Sequence, residues 1–421
     1  MTTTSPCDSD ADRSLFRRAG AAYFVIAFIA RLPFAMIVVG VLTLAVEARG
    51  SVSLAGLTSA AVGVGTACFG PLLGAAADRF GQRPVLLVLA AGNAAALVLL
   101  TVVAYAAVPD AVLLLSAFAV GATAPQVAPL SRSRLVTLIM ERMPETGRAR
   151  TLSSTLSYES AADETVFVFG PFVVGALASL LGPAAPLLIG AALSLLSVGA
   201  FALHPSASWI SVHRRADGGA ASSVSELFRS RLLVVVFGIF GVGLLFGTVL
   251  TALTAFMADR GEADAAGLLY GVMGIGSAIF ALGIAALPQA FSLRLRWLVF
   301  AGILLGGTLI LLTVNDVGGM ILALGVMGIG IGPTLVTQFG FGTAASPAGR
   351  SATVMTMLGS SVIVGQAVGS ALTGVVAEQA GTSVALLLPI AAAASIVAAG
   401  IVNVSLNPRT HSHRHRPQRD R

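Results

Sequence analysis

The stretch Gly74-Ala-Ala-Ala-Asp78-Arg79-Phe-Gly81-Gln-Arg83-Pro84 separates two long apolar runs and decides how the whole chain is interpreted. Gly81 permits a positive φ, and Pro84 suits the first turn of a helix, where its missing N–H costs little. The segment therefore predicts a tight turn between two helices, with one carboxylate, Asp78, among arginines. Taken alone, the turn also fits an ordinary arginine-rich loop at a membrane surface.

The composition outside this turn is that of an integral membrane protein. Of 421 residues, 56% are hydrophobic and 10% are charged, whereas soluble proteins carry about 25% charged residues. The 47 glycines lie within apolar runs, where small residues let neighbouring helices approach closely. Cys7 and Cys68 form neither a disulfide framework nor a zinc spacing. The basic residues are arginines scattered over many segments, which excludes a nucleic-acid patch.

Twelve apolar runs are long enough to cross a bilayer as helices, which takes about 20 residues. The strands of a β-barrel would instead alternate apolar and polar residues. The predicted spans are Ala19–Val46, Val52–Ala76, Pro84–Val108, Ala111–Leu130, Leu152–Leu181, Ala184–Leu203, Leu232–Ala258, Ala265–Leu287, Trp297–Val314, Val317–Phe341, Ala352–Ala377 and Ser383–Leu406.

The arginines predict the orientation of these spans. With the amino terminus in the cytoplasm, 22 of the 25 basic residues lie in cytoplasmic segments, Arg49 and Arg260 lie outside, and Arg31 lies within a span. This bias predicts a multi-pass protein of the cytoplasmic membrane with both termini inside. The first apolar run lacks a cleavage site and is expected to stay as an anchor.

A polar segment divides the spans into two sets of six, and an internal echo supports a duplicated unit. Pro144–Thr151 before the fifth span resembles Pro347–Thr353 before the eleventh. Gly170 and Gly175 correspond to Gly369 and Gly374. The predicted organisation is a cytoplasmic leader (1–18), a six-helix bundle (19–203), a central loop (204–231), a second six-helix bundle (232–406) and a basic tail (407–421).

The spacing G-x-x-x-D-R-x-G-x-R, placed between the second and third spans, resembles the signature loop of the major facilitator superfamily. Together with the spans and the central loop, this resemblance covers nearly the whole chain. It implies an all-α membrane protein of twelve transmembrane helices in two pseudo-symmetric six-helix bundles. It also implies a conformational latch, in which Asp78 faces Arg132 or Arg134 and the helix start near Ser351. The residues assigned to this latch are Gly74, Asp78, Arg79, Gly81, Arg83, Arg132 and Arg134.

Four charged residues lie within the predicted spans: Arg31 in the first, and Glu159, Asp163 and Glu164 in the fifth. Each charge at such depth costs at least about 2.5–3.5 kcal/mol, so the four must face partners or a wet cavity. One interpretation is a structural ion pair of Arg31 with Glu164 or Asp163. The other is a site for a proton or a substrate, because three acids against one base leave a carboxyl without a countercharge. Glu159, nearest the cytoplasm, is expected to be exposed to water.

The fifth span continues as Phe169-Gly170-Pro171-Phe-Val-Val-Gly175. Proline kinks a helix, and this stretch resembles the antiporter motif of the drug–proton antiporter branch. The match is partial, because Val166 and Val174 stand where that motif has glycines and the branch's arginine motif is missing from the fourth span. The antiporter-like kink is assigned to Gly170, Pro171 and Gly175.

Uncharged residues complete the candidate cavity. Gln126 and Gln338 are assigned to it because the family resemblance places the fourth and tenth helices around the centre, although mid-span glutamines also join helices. Phe34 and Met36 fit either an apolar cavity wall or lipid-facing core.

The predicted function is secondary transport by alternating access, as proton-coupled efflux of a small amphipathic or hydrophobic molecule. The alternatives are a metabolite or sugar uniporter or symporter, and more remotely a membrane-embedded enzyme or a channel. No cofactor or metal is expected; the chain lacks lysine and a nucleotide-binding loop, and the histidines of the tail suit an arginine-rich segment attracted to anionic lipid. The expected partners are the substrate, protons and membrane lipid, with the chain acting as a monomer.

Overall fold

The computed structural model describes residues 19–145, 147–208, 223–262, 266–288 and 291–406, and all regular secondary structure in these ranges is helical. The predicted leader and the tail with its histidines lie outside the described residues. Short 3₁₀ segments, Pro205–Ser208 and Val224–Phe228, flank the central loop.

Twelve long helices follow one another in the described ranges and are labelled α1 to α12. Their bounds are α1 Ala21–Arg49, α2 Val52–Phe80, α3 Gln82–Tyr105, α4 Asp110–Glu141, α5 Arg148–Leu181, α6 Ala185–Leu203, α7 Ser230–Ala258, α8 Ala266–Gly283, α9 Leu293–Thr313, α10 Val317–Ala345, α11 Ser351–Ala380 and α12 Thr382–Leu406.

Eleven helices in the described part of the chain are long and apolar enough to cross a membrane. The remaining predicted span is α5, a continuous helix of 34 residues, which extends about 51 Å at 1.5 Å per residue. Its first half carries Glu159 and Asp163. The chain is therefore a multi-pass membrane protein of the predicted fold class.

Three of the described helices are interrupted close to prolines; in α12, Leu386 and Leu387 separate Thr382–Ala385 from Leu388–Leu406, whose first turn contains Pro389. In α1, Ala30 and Arg31 separate the pieces Ala21–Ile29 and Leu32–Arg49. Pro33 lies in the first turn of the second piece, and its missing N–H cannot donate to the preceding turn. In α4, residues 124–126 interrupt the helix around Pro125.

The fourth helix corrects a predicted boundary. The sequence places the end of the fourth span at Leu130, before a Ser-Arg-Ser-Arg run, whereas the helix continues to Glu141. Arg132 and Arg134 are therefore buried within the bundle instead of lying in a cytoplasmic connection. The guanidinium groups of both arginines contact polar or aromatic groups inside the bundle, so the helix can continue beyond the end of the apolar run.

The two six-helix halves contact each other through matching pairs of helices. Helix α2 packs against α11, and α5 packs against α8 and α10. The second half has one large apolar core, to which Val136 and Leu156 of the first half contribute. Two smaller apolar clusters fill the first half. The turn between α2 and α3 marks one end of the bundle, called here the α2–α3 end.

Glycines allow the closest helix crossings within each half. A Cβ at Gly121 of α4 would overlap the carbonyl oxygen of Val62 in α2. The duplicated glycines predicted from the sequence occupy equivalent surroundings. Gly170 contacts α1 at Ala35, and its counterpart Gly369 contacts the matching helix α7 near Thr248. This correspondence supports the pseudo-symmetry of the two halves.

Substituting alanine for Gly121 is expected to destabilise the protein by about 1–3 kcal/mol, because the added methyl group would force α2 and α4 apart. The midpoint of thermal unfolding in detergent measures the effect. Gly92→Ala is the matched control, since a Cβ at that position would meet only Thr123 Cγ2, at 3.7 Å. An unchanged midpoint for Gly121→Ala would contradict the crossing described here.

Candidate functional site

The carboxylate of Asp78, near the end of α2, holds the first turn of α11. It accepts hydrogen bonds from the backbone N–H of Ala352 at 3.1 Å and of Thr353 at 2.8 Å, and from the Thr353 hydroxyl at 2.6 Å. The first N–H groups of a helix lack intrahelical acceptors and favour negative charge. This contact, called the α2–α11 latch, joins the two halves of the chain. The latch lies beside Ser351, where the sequence predicts it.

Two glycines of the signature loop make the latch geometrically feasible. A Cβ at Gly74 would overlap Thr356 Oγ1 and lie 2.8 Å from the carbonyl oxygen of Ala352, so only glycine lets α2 approach α11 this closely. Gly81 ends α2 and starts α3 with a φ of 90°, a conformation that glycine adopts without steric cost. Arg79 stacks beside Phe80 at 5.2 Å, and Arg83 is exposed.

The arginines predicted to face Asp78 contact other groups, which corrects that assignment. Arg134 donates to Gln82 Oε1 at 2.7 Å and to the Phe201 carbonyl and Ser206 Oγ at 2.9 Å each. Its guanidinium also stacks on the Phe201 ring at 3.9 Å. Arg134 therefore ties α3, α4 and α6 together within the first half. Burial and the neighbouring Arg134 guanidinium lower the pKa of His204, which lies just beyond α6.

Arg132 belongs instead to a charge cluster that also contains Arg31, Glu159 and Asp163. Arg31 forms an ion pair with Glu159, and its Nε lies 3.0 Å from Asp163 Oδ1. Arg132 Nη2 donates to Asp163 Oδ2 at 2.8 Å. Arg31 lies at the interruption of α1. The interruption of α1 is therefore at the same level of the bundle as Glu159 and Asp163 of α5. Glu159 is about 17 Å along α5 from its first residue.

Hydroxyl groups extend the charge cluster towards α1. Ser131 Oγ donates to Glu159 Oε1 at 3.0 Å. The Tyr23 hydroxyl lies 2.8 Å from Ser131 Oγ and donates to it, because the single Ser131 proton is given to Glu159. Neither residue is singled out by the sequence. Ser131 lies just beyond the predicted end of the fourth span, and Tyr23 lacks any distinguishing pattern.

The four charges of the cluster sum to zero and differ sharply in exposure. The side chains of Arg31, Arg132 and Glu159 are 3%, 2% and 0% exposed, whereas that of Asp163 is 20% exposed. Glu159 is thus fully buried and paired, contrary to the expectation that water reaches it. Asp163 bridges both arginines and is the member of the cluster whose side chain is partly exposed. The predicted pairing of Arg31 with Asp163 is present.

Arg132 connects the charge cluster to the other half of the chain. Its guanidinium lies over the Phe339 ring of α10, with 3.7 Å from Cζ to the ring centroid. Such cation–π contacts are worth up to about 2 kcal/mol when desolvated. A change in the pairing of Asp163 therefore acts directly on a contact between the halves. No sequence pattern marks Phe339 as part of the site.

The remaining candidate residues are dispersed. Gln126 lies at the interruption of α4, 6% exposed, beside Gly359 of α11. Gln338 is buried next to Gly238 inside the second half. Met36 packs among α1, α3 and α6 within the first half, and Phe34 is half-buried. Their assignment to a substrate cavity stays a prediction, and Gln126 lies between the halves.

The antiporter-like stretch lies on one continuous helix. Gly170 lets α5 approach Ala35 of α1, with 2.9 Å from its Cβ position to that side chain, and Gly175 is exposed. The side chains of Pro171 and Glu164 lie outside the described residues. A kink at Pro171 and a role for Glu164 stay predictions.

Replacing Asp78 with alanine is expected to unlock the first turn of α11. Hydrogen bonds to a charged group contribute about 1.5–3 kcal/mol each, so the backbone amides of Ala352 and Thr353 should exchange with solvent at least about tenfold faster. Hydrogen–deuterium exchange with mass spectrometry of the peptide spanning 351–356 measures this change. Asp110→Ala, which removes an exposed carboxylate at the start of α4, is the matched control. Unaltered exchange in Asp78→Ala would show that the latch does not hold α11.

Breaking the charge cluster at one member is expected to destabilise the protein more than removing a complete pair. Arg31→Met strands the buried Glu159, and an unpaired buried charge costs about 3–5 kcal/mol. In the double variant Arg31→Met/Glu159→Met, Asp163 keeps Arg132 as its partner, so much of the loss should be recovered. Thermal unfolding of both single variants and of the double variant completes the cycle. Strictly additive losses would rule out the described pairing.

Comparisons with known proteins agree with this geometry. A family model for the Major Facilitator Superfamily matches residues 23–360. A search of curated protein sequences finds no match.

Several solved structures share the fold of this chain. The human organic anion transporter MFSD10 (TETRAN) superimposes with a TM-score of 0.66 at 17% identity, covering 92% of this chain and 99% of its own. A bacterial homologue of the iron transporter ferroportin in an outward-facing state gives 0.66 at 16% identity, with 91% and 98% covered. The E. coli fucose:proton symporter FucP (N162A) gives 0.62 at 17% identity, with 90% and 99% covered.

At these identities the structures show the fold alone, whereas the family model spans most of the chain. The family match, together with the signature loop, indicates a transporter and not an enzyme. The chain belongs to the Major Facilitator Superfamily.

Proposed function

We propose that this transporter exports a small amphipathic or hydrophobic molecule in exchange for protons. The observation that carries the proposal is Asp163. It is the partly exposed carboxylate of an otherwise buried charge cluster, and it bridges two arginines on separate helices. Ionisable residues at this depth mark proton or substrate pathways in membrane proteins. The partial antiporter motif of α5 supports exchange.

The coupling mechanism follows from the contacts of Asp163. Protonating this carboxylate removes the negative charge that pairs with Arg132, whose guanidinium still lies over the Phe339 ring. Arg132 then has two arrangements, one paired with Asp163 and one without that pair. The contact between α4 and α10 changes between them. A proton that binds in one access state and leaves in the other converts the pH gradient into movement of the halves. The α2–α11 latch closes the α2–α3 end in the state described.

The proposed setting is the cytoplasmic membrane, with both termini and the α2–α3 end in the cytoplasm. The distribution of the arginines supports this orientation. In that orientation the described state is closed towards the cytoplasm. The proposed partners are the substrate, protons and surrounding lipid, and a single chain contains both halves needed for alternating access.

Uniport or symport of a metabolite is the second candidate function. The neutral sum of the charge cluster favours it, because four mutually paired charges need no proton for electrical balance. The structures with the same fold include one described as a fucose:proton symporter, so the architecture also supports inward coupling in that protein. The two candidates differ in whether Asp163 changes its protonation during the cycle.

Proton coupling is tested with the full chain in liposomes that contain the pH indicator pyranine. The probes are ethidium, octanesulfonate and 1-octanol, which represent a cationic, an anionic and an uncharged amphiphile. We expect at least one probe to cause proton movement that requires the protein. Asp163→Asn should reduce this movement to the level of protein-free liposomes, because the amide keeps the shape of the side chain but cannot exchange a proton.

Glu378→Gln is the control, since Glu378 is an exposed carboxylate near the far end of α11 and should leave proton movement unchanged. Protein-dependent uptake of ethidium or octanesulfonate without any proton movement would contradict coupling and favour uniport. Full proton movement in Asp163→Asn would remove Asp163 from the mechanism.

A further inference from the structure

A lateral groove of about 420 Å³ lies between α2, α7 and α11, at the junction of the two halves. Ala67 and Pro71 of α2 form one wall, Phe237 and Phe240 of α7 form another, and Met357 of α11 contributes to the third. Its volume is within the roughly 300–1,000 Å³ of small-molecule sites. The groove lies towards the α2–α3 end and is separate from the charge cluster.

One polar atom in the wall of the lateral groove has unused hydrogen-bonding capacity. Ser360 lines the groove and is 4% exposed, and within the described residues its Oγ has no hydrogen-bond partner. Gln126 is not among the residues that line the groove, but its Nε2 is also without a partner and lies near Gly70, as Ser360 Oγ does. Leaving a buried hydroxyl unpaired costs about 1–3 kcal/mol, which a ligand oxygen that pairs with Ser360 Oγ would recover.

The chemistry of the walls restricts what this ligand is. None of the residues that line the groove is ionisable, and an unpaired charge in such surroundings is costly. The mouth is apolar, with Leu233 and Phe237 of α7 41% and 51% exposed. On a membrane-spanning helix, exposed apolar side chains of this kind suit contact with acyl chains. The groove thus combines an apolar entrance with a polar end that contains a donor.

We propose that the lateral groove binds an uncharged amphiphile that enters from the lipid bilayer. Its hydroxyl, ester or amide oxygen pairs with Ser360 Oγ, and its alkyl body lies against Phe237, Phe240 and Met357. Gln126 lies at the interruption of α4, six positions before Arg132 and therefore about 9 Å from it along the helix axis. A ligand held here is close to the helix that carries the charge cluster. The binding of such a ligand is independent of the proposed function. The further statement that the ligand is the transported substrate rests on that function.

Photo-crosslinking in liposomes tests the site on the full chain. The probe is hexadecanol with a diazirine in its alkyl chain, and mass spectrometry locates the labelled peptides. We expect labelling concentrated in the peptides around 67–71, 233–240 and 357–364. An excess of hexadecanol should suppress it, whereas hexadecyltrimethylammonium, which has the same chain and a permanent charge, should not. Labelling spread over all lipid-facing helices, or equal suppression by both competitors, would overturn the proposal.

Three variants separate the groove from the fold. Ala67→Leu fills the groove from its half-buried wall and should remove the suppressible labelling, and Gly63→Ala on the same helix, with open space at its Cβ position, should retain it. Ser360→Ala should raise the hexadecanol concentration for half-suppression about two- to tenfold, the worth of one neutral hydrogen bond. Wild-type labelling in Ala67→Leu would refute the site. Cross-linking requires no transport. A failure of the pyranine test would therefore not affect the evidence for the groove, and a failure of the labelling test would not affect the evidence for proton coupling.

Discussion

Charge in hydrocarbon must be neutralised within the protein, and this constraint organises the first half of the chain. Arg31 pairs with Glu159 and Asp163 of α5, Arg132 pairs with Asp163, and the Ser131 hydroxyl donates to Glu159. An isolated charge at this depth would cost several kcal/mol. The pairing therefore dictates how α1, α4 and α5 are rotated about their axes. The other half has no charged residue in its predicted spans and is built on glycine crossings and a continuous apolar core.

The two halves therefore have different roles despite their common architecture. Gly170 and Gly369 perform the same packing task in corresponding helices. The charge cluster and the Asp78 carboxylate belong to the first half, and they contact the Phe339 ring and the amides that begin α11 in the second half. The Arg350 guanidinium, just before α11, also attracts Asp78.

The sequence predicts the helices, the duplication and the position of the latch, because each depends on local pattern. The length of each apolar run identifies a span. The spacing of Gly74, Asp78 and Gly81 identifies the turn and the carboxylate of the latch. Prediction from the sequence fails where tertiary contacts override the local pattern. The fourth span was predicted to end at Leu130 because arginines follow, yet burial of those arginines against partners lets the helix continue. The exposure of Glu159 and the direction of Met36 depend on helix rotation, which one sequence does not determine.

The latch also has a kinetic consequence. Three hydrogen bonds to Asp78 and the close approach at Gly74 all involve the stretch of α11 from Ala352 to Thr356, little more than a single turn. Contacts crowded onto one rigid turn cannot be released one after another, since moving the turn by an ångström breaks all of them. Separation of the halves at this end is then an all-or-none event with one sizeable barrier. The protein should dwell in discrete states and pass between them abruptly, without a graded series of partly opened forms.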